Sequence, residues 1–306
     1  MDNNGEKKNT LFVTQLERCA VNDGPGIRTV VFLQGCPLRC PWCCNPETRP
    51  ARPVLMHDGK LCVGCGTCAQ TCAFGNITVT DGRVRIDRNA CRLCGACGDA
   101  CPVGALKFSS REMTVEEILS AVERDRPFYE ESGGGVTLSG GEPLLQKASP
   151  ELLRKAKERE LHTCVETTLS VSRRILEEAA PYVDLFYADA KHPDPERLME
   201  VTGADPERIL DNLKFLAGSG KAVTLRTPVI PGFNRDVSVM RKLFSLALEN
   251  GITDYVLLPY HSLGTKKYEM LDMPYPMGQT EVLQPEDLSE FQRLGEFMGL
   301  RVRIGG

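Results

Sequence analysis

RTVVFLQGCPLRCPWC, residues 28–43, runs a buried-strand candidate into three cysteines, and the fold is read outward from it. Arg28 to Gln34 is rich in β-branched and large apolar residues, the composition of a strand buried on both faces. Cys36, Cys40 and Cys43 follow its end, three ligands and no fourth. An iron–sulfur cluster held by three thiolates keeps one iron with an open position, as metal sites do when they are catalytic rather than structural.

Eight further cysteines form two runs, Cys62, Cys65, Cys68, Cys72 and Cys91, Cys94, Cys97, Cys101. Both have the ferredoxin spacing, in which the fourth cysteine of each run ligates the other cluster. The expected sets are therefore Cys62, Cys65, Cys68 and Cys101 for one auxiliary 4Fe-4S cluster, and Cys72, Cys91, Cys94 and Cys97 for a second. Disulfides are disfavoured, because a 306-residue chain needs no staples and MDNNGEKKNT opens it without an apolar leader. With no transmembrane-length apolar run, a cytoplasmic setting is expected. Zinc needs four ligands per ion and gives no reason for two runs of identical internal spacing. Cys19, Cys44 and Cys164 are left over; Cys164 reads as a small buried hydrophobe, and Cys44 abuts a ligand.

The formal net charge of −4 argues against a nucleic-acid binder, which would show a basic face. LCVGCGTCAQTCAFGNITV and ACRLCGACGDACPVGALKF are an internal repeat, placing a ferredoxin-like domain with two 4Fe-4S clusters at residues 51–110. Such a unit is too small to be stable by core burial alone, so its clusters must organise it.

Residues 1–50 and 111–306 carry the remaining pattern, alternating strand and helix. Thr114 and Glu117 form a capping box for a helix to Asp125. Strands are expected at Val136–Ser139, Thr163–Thr167, Val183–Ala188, Ala222–Thr227 and Tyr255–Leu258, with helices at Pro150–Glu160, Ser172–Ala180, Pro206–Ala217, Asp236–Asn250 and Pro285–Met298. Six strand–helix units fall short of the eight that close a barrel. The fold class is α/β, a partial open (β/α)6 TIM-like barrel with an inserted ferredoxin-like domain; a doubly wound sheet shares the alternation. Either architecture puts function at the carboxyl ends of the strands, where Cys36 to Cys43, Ser139 to Glu142, Glu166 and Thr167, Asp189 and Lys191, Arg226, and Tyr260 and His261 fall in turn.

CPLRCPWC, with an aromatic before its last cysteine, resembles the cluster motif of radical S-adenosylmethionine enzymes. DGPGIR at Asp23 to Arg28, NPE at Asn45 to Glu47, LSGGEP, DAKH, LRTPVIPGFN and LPYHSLG are similar, in content and order, to the glycyl radical enzyme activating enzymes. The insert narrows the likeness to activators with two auxiliary clusters, giving three 4Fe-4S clusters in all. The resemblance implies that S-adenosylmethionine is cleaved to methionine and a 5′-deoxyadenosyl radical, which takes a hydrogen atom from a backbone glycine of a partner glycyl radical enzyme. It implies S-adenosylmethionine contacts at Trp42, Gly140, Gly141, Glu142, Glu166, Asp189, Lys191, Arg226 and His261. Glu142 would offer its carboxylate or neighbouring backbone to the amine. Asp23, Gly24 and Pro25 would meet the partner's glycine loop. Flavodoxin or ferredoxin would donate electrons, with neither nucleic acid nor membrane as partner. The rivals are a ferredoxin-type electron carrier on a non-catalytic barrel and a radical enzyme acting on another peptide or a small molecule. A carrier needs neither the three-cysteine run nor LSGGEP.

Overall fold

The computed structural model describes residues 9–305; the opening MDNNGEKK and the final glycine lie outside them. Thirteen strands are present among the described residues: β1 (Thr10–Ala20), β2 (Arg28–Leu33), β3 (Leu55–His57), β4 (Ile77–Thr80), β5 (Arg83–Ile86), β6 (Leu106–Phe108), β7 (Arg111–Thr114), β8 (Gly135–Gly140), β9 (His162–Thr167), β10 (Leu185–Asp189), β11 (Ala222–Val229), β12 (Asp254–Pro259) and β13 (Arg301–Ile304). Nine of them form one sheet in the order β13-β12-β11-β10-β9-β8-β2-β1-β7.

From β2 through β8 to β13 every neighbouring pair is parallel and successive within the barrel chain. The order never reverses, so there is no switch point, and right-handed crossovers put all the connecting helices on one face. That is the winding of a barrel rather than of a doubly wound sheet. The sheet ends at β13 and β7, so it stays open.

Three features differ from the sequence expectation. Residues 301–304 are a seventh parallel strand on β12, not a tail. Thr10–Ala20 is a long strand antiparallel to both β2 and β7. Helices absent from the expected set also occur at Arg126–Ser132, Pro195–Thr202 and Thr265–Met270. Asp194 caps the second of these by accepting from Arg197 N at 3.1 Å. The capping box at Thr114 is present, with Thr114 Oγ1 accepting from Glu117 N at 3.2 Å and the Glu117 carboxylate accepting from Thr114 N at 2.7 Å.

The insert leaves and rejoins the barrel through β3 and β6, which pair antiparallel. Inside it, β4 and β5 are a hairpin over Asp81 and Gly82. Each repeat adds a short helix, Thr67–Thr71 or Ala96–Asp99, entered through a left-handed glycine, Gly66 at φ 78° and Gly95 at φ 87°. The insert has its own small core of Leu55, Cys68, Ile77, Val84, Cys97 and Leu106, separate from the barrel core. Met56 packs on Met270 and Leu271, seating the insert against the helix Thr265–Met270.

Candidate functional site

The three-cysteine loop hangs from the end of β2 and is tied down by backbone. Gly35 N donates to Thr48 O at 2.6 Å, Cys36 N to Arg49 O at 3.1 Å and Arg39 N to Thr202 O at 2.8 Å. The Gln34 amide reaches Glu47 O at 2.7 Å and Pro50 O at 2.8 Å, and Arg49 binds the Cys40 carbonyl. The NPE segment thus clamps the loop. Burial pushes the Cys36 thiol up to about 12 and Cys40 to about 11, with nearby Lys191 opposing the latter. An iron core bound here would have to displace protons from these thiols.

Beside this loop, four adjacent strands end in one connected polar network. Ser139 Oγ donates to Glu166 Oε2 at 2.5 Å, and Arg226 ion-pairs with the other oxygen of Glu166. Arg226 Nε stands 3.7 Å from Asp189 Oδ1, and Asp189 binds the Lys191 ammonium. Asp189 and Arg226 are register partners on β10 and β11, while Tyr187, paired with Glu166, puts its ring 4.9 Å from the guanidinium. Burial opposes the charges on Arg226 and Lys191, but the carboxylates outweigh it and both pKa values are raised. Arg226 Nε is buried without a hydrogen-bond acceptor, a donor left over for something else.

Gly140 and Gly141 are demanded by close approach. A Cβ on Gly140, at φ 115°, would lie 2.3 Å from Leu33 N, and one on Gly141 would lie 2.3 Å from Gly35 O and 3.1 Å from the Cys36 Cβ. The pair lets β8 press against the cysteine loop. The Glu142 side chain is fully buried and its carboxylate is taken up by neighbouring backbone and hydroxyl donors, which leaves the backbone beside it as the part that can reach the methionyl amine. The side chain accepts from Thr168 N at 2.7 Å, Thr168 Oγ1 at 2.6 Å and Thr167 Oγ1 at 3.0 Å, and burial raises its pKa. The carboxylate ties the end of β8 to the end of β9, while Glu142 N donates to Gly35 O at 2.7 Å.

A cavity opens over this network, lined by Asp23, Trp42, Cys44, Glu166, Arg226 and His261, with Tyr260 in its wall. Asp189 and Lys191 border a different, more apolar cavity with His192 and Leu198, and Gly24 and Pro25 line neither. Trp42 packs tilted against Phe233, ring centroids 4.8 Å apart, a residue sequence reasoning did not single out. Cys44 Sγ lies 3.9 Å from His261 Nε2, and burial pushes its thiol up to about 11. Burial also lowers the His261 pKa, favouring the neutral imidazole. Asp23 is raised to about 6 by burial and by Glu166, with Arg226 opposing.

Arg28 is the other residue missed by the sequence. Fully buried at the start of β2, it donates to Pro25 O at 2.9 Å, Val136 O at 2.7 Å and Thr137 Oγ1 at 2.6 Å. Thr137 Oγ1 donates in turn to Asp23 O at 2.7 Å. The Asp23–Gly26 turn is thereby pinned to β8, which presents Asp23 to the cavity. An arginine opening an apolar strand was the available signal.

The insert holds two further cavities. One is lined by Cys62, Cys65, Cys68 and Cys101, the other by Cys72, Cys91, Cys94 and Cys97. Each draws three thiols from one repeat and one from the other, and the remaining walls are mostly apolar. Backbone amides after each fourth cysteine point at its sulfur and hold the Cys72 and Cys101 pKa values down, although burial opposes this. Among the described residues no three His, Cys, Asp or Glu side chains are arranged around a single ion. Four thiolates are also the ligand number of a 4Fe-4S cluster. No helix among the described residues is long and apolar enough to cross a membrane.

The family model described as the Radical SAM superfamily matches residues 64–243. The chain is 44% identical over 282 residues to the isethionate sulfite-lyase activating enzyme of Oleidesulfovibrio alaskensis, covering 90% of this chain and 91% of that one. It is 39% identical to the choline trimethylamine-lyase activating enzyme of the same organism, covering 94% of each. It is 35% identical to the indoleacetate decarboxylase activating enzyme of Tractidigestivibacter scatoligenes, covering 96% of each.

Proposed function

Because the chain belongs to the radical S-adenosylmethionine superfamily, among the activating enzymes of glycyl radical enzymes, it cleaves S-adenosylmethionine to generate a glycyl radical on a partner enzyme, and we propose how its residues divide that task. Cys36, Cys40 and Cys43 hold the 4Fe-4S cluster. That cluster would supply the one electron that breaks the bond between sulfur and the 5′ carbon, with the methionyl end held beside the three-cysteine loop.

The chain's own residues position and neutralise. Gly140 and Gly141 bring backbone beside the methionyl end. Lys191, held by Asp189, lies near Cys40 and balances negative charge at the cluster loop. Arg226 offers its free Nε, and Glu166 its carboxylate, to the ribose, with Trp42 and His261 at the nucleoside end. Glu142 acts from behind, by fixing the two strand ends. Asp23, with Gly24 and Pro25 in the same turn, meets the partner's glycine loop.

Residues 51–110 form the ferredoxin-like domain, with Cys62, Cys65, Cys68 and Cys101 around one auxiliary cluster and Cys72, Cys91, Cys94 and Cys97 around the other. The two four-thiol cavities support that pairing and a total of three clusters. Flavodoxin or ferredoxin supplies the electrons, in the cytoplasm.

The observation that carries this assignment is the single network joining Ser139, Glu166, Asp189 and Arg226 across four strand ends beside the cysteine loop. The test is anaerobic incubation of the reconstituted enzyme with reductant, S-adenosylmethionine and a partner, isethionate sulfite-lyase being the first to try. 5′-Deoxyadenosine and a glycyl doublet by electron paramagnetic resonance are expected. 5′-Deoxyadenosine without the doublet for any glycyl radical enzyme offered would favour a different radical substrate.

A further inference from the structure

We propose that the groove between the insert and the helix Thr265–Met270 is the docking surface for an acidic one-electron carrier protein of the flavodoxin type. This rests on reading Cys62, Cys65, Cys68 and Cys101 as a cluster site. The groove shares His57, Cys62 and Val84 with that four-thiol cavity, so a protein seated in it lies directly against the cluster's edge.

Charge selects the partner. Residues 51–110 carry seven Lys and Arg against four Asp and no Glu, although the whole chain has 37 basic and 41 acidic residues. The insert is thus a positive module on a negative body. Within the groove, Asp58 is neutralised by Lys266 at 2.6 Å and Asp272 by Arg88 at 2.8 Å. Glu269 then stands against Lys60, Arg83 and Arg85, three exposed cations with no ion pair among the described residues. Such a local field speeds encounter with an acidic partner and orients it.

Apolar exposure marks the contact itself. Leu61, Val63 and Val103 are 51%, 66% and 39% exposed, and the last two line the four-thiol cavity. A small apolar spot ringed by charge suits a transient electron-transfer complex, whose interface is typically below about 1,200 Å². The exchange makes and breaks no bond: the carrier, a flavin hydroquinone, loses one electron to become the semiquinone, and the cluster gains it.

The groove and the cavity over Glu166 and Arg226 have no lining residue in common. The electron carrier and the glycyl radical enzyme therefore occupy separate faces.

The test compares binding of purified flavodoxin to the reconstituted enzyme and to the triple variant Lys60→Glu, Arg83→Glu, Arg85→Glu, by calorimetry at about 20 and 200 mM salt. The variant should bind at least about tenfold more weakly at low salt, equivalent to about 1.4 kcal/mol. Its iron content, its dithionite-driven 5′-deoxyadenosine formation and its affinity for the glycyl radical enzyme should be unchanged. Arg92→Glu, beside the other four-thiol cavity, should leave flavodoxin affinity within about twofold. Unchanged affinity in the triple variant, a loss shown by Arg92→Glu instead, or a loss of glycyl radical enzyme binding would each overturn the proposal. Failure of the cluster reading itself shows separately, as iron content that does not fall when Cys62 and Cys65 are replaced by alanine.

Discussion

Asp189 at the end of β10 and Arg226 within β11 face each other as register partners, and the same guanidinium ion-pairs with Glu166 on β9. Arg226 therefore compensates Glu166 and shares Asp189 with the Lys191 ammonium. Its Nε still has no acceptor. The network is built to hold charge in place before a ligand arrives, which is the arrangement that costs least reorganisation during reaction.

Removing that cation should be expensive. Arg226→Ala leaves Glu166 buried without its cation, while Asp189 keeps Lys191, and should destabilise the fold by about 3–5 kcal/mol. The thermal midpoint of the reconstituted protein measures this. Adding Glu166→Gln to Arg226→Ala should restore part of the loss without restoring S-adenosylmethionine binding by calorimetry. Full restoration of binding would show that Arg226 does not touch the ligand.

Gly140→Ala should cost about 2 kcal/mol or more, because a Cβ meets Leu33 backbone at a positive φ. The damage falls on the cysteine loop pressed against β8. Iron equivalent to one cluster should be lost while the insert keeps its own, read by metal analysis against a Cys36→Ala variant.

Asp23 gives the pH dependence a sign. Its carboxyl is raised from 3.8 to about 6 in the fold, so between those values the folded state holds a proton that the unfolded chain has released. Stability should fall as pH rises from about 4 to about 6 and be flat above, as far as this group contributes. Asp23→Asn should lack that slope in thermal midpoints taken between pH 5 and 7. The same variant should form 5′-deoxyadenosine without partner yet give less glycyl radical; loss of both activities would remove Asp23 from the partner's side of the cavity.

Cys44 lies next to a proposed ligand but faces the cavity with His261. Cys44→Ala should retain all iron. In the reconstituted wild type, iodoacetamide should label Cys44 slowly, because burial keeps the thiol protonated, and S-adenosylmethionine should slow it further. Peptide mass spectrometry reads both. Iron loss in Cys44→Ala would instead make it a ligand.

Much of the site was legible because strand ends announce themselves. The parallel strands are short apolar runs, and Glu166 and Asp189 stand in the last two residues of theirs, with Arg226 in the second half of β11. The cysteine runs were legible because two- and three-residue spacing has few other uses. Thr10–Ala20 was not, since its second half is exposed and the pairing with β2 shifts register at Val13/Gln15 and again at Glu17/Ala20. Arg301–Ile304 is only four residues long at the sheet's edge. The direction of Glu142 was equally hidden: sequence gives its place after the glycine pair, but only the third dimension brings Thr167 and Thr168 to its carboxylate. Phe233, packed against Trp42, is remote in the chain and ordinary in its surroundings.

The insert departs at β3 and returns at β6, and those two strands lie side by side. Sixty residues therefore hang from a single hinge-width of the barrel, with separate apolar cores on either side. The consequence is modularity: the barrel's chain path has no gap to span once the insert is cut away, and a short linker from Val54 to Ser109, which are already hydrogen-bonded at 2.9 Å, would close it. A chain built this way can gain or shed residues 51–110 without redesigning the barrel they hang from.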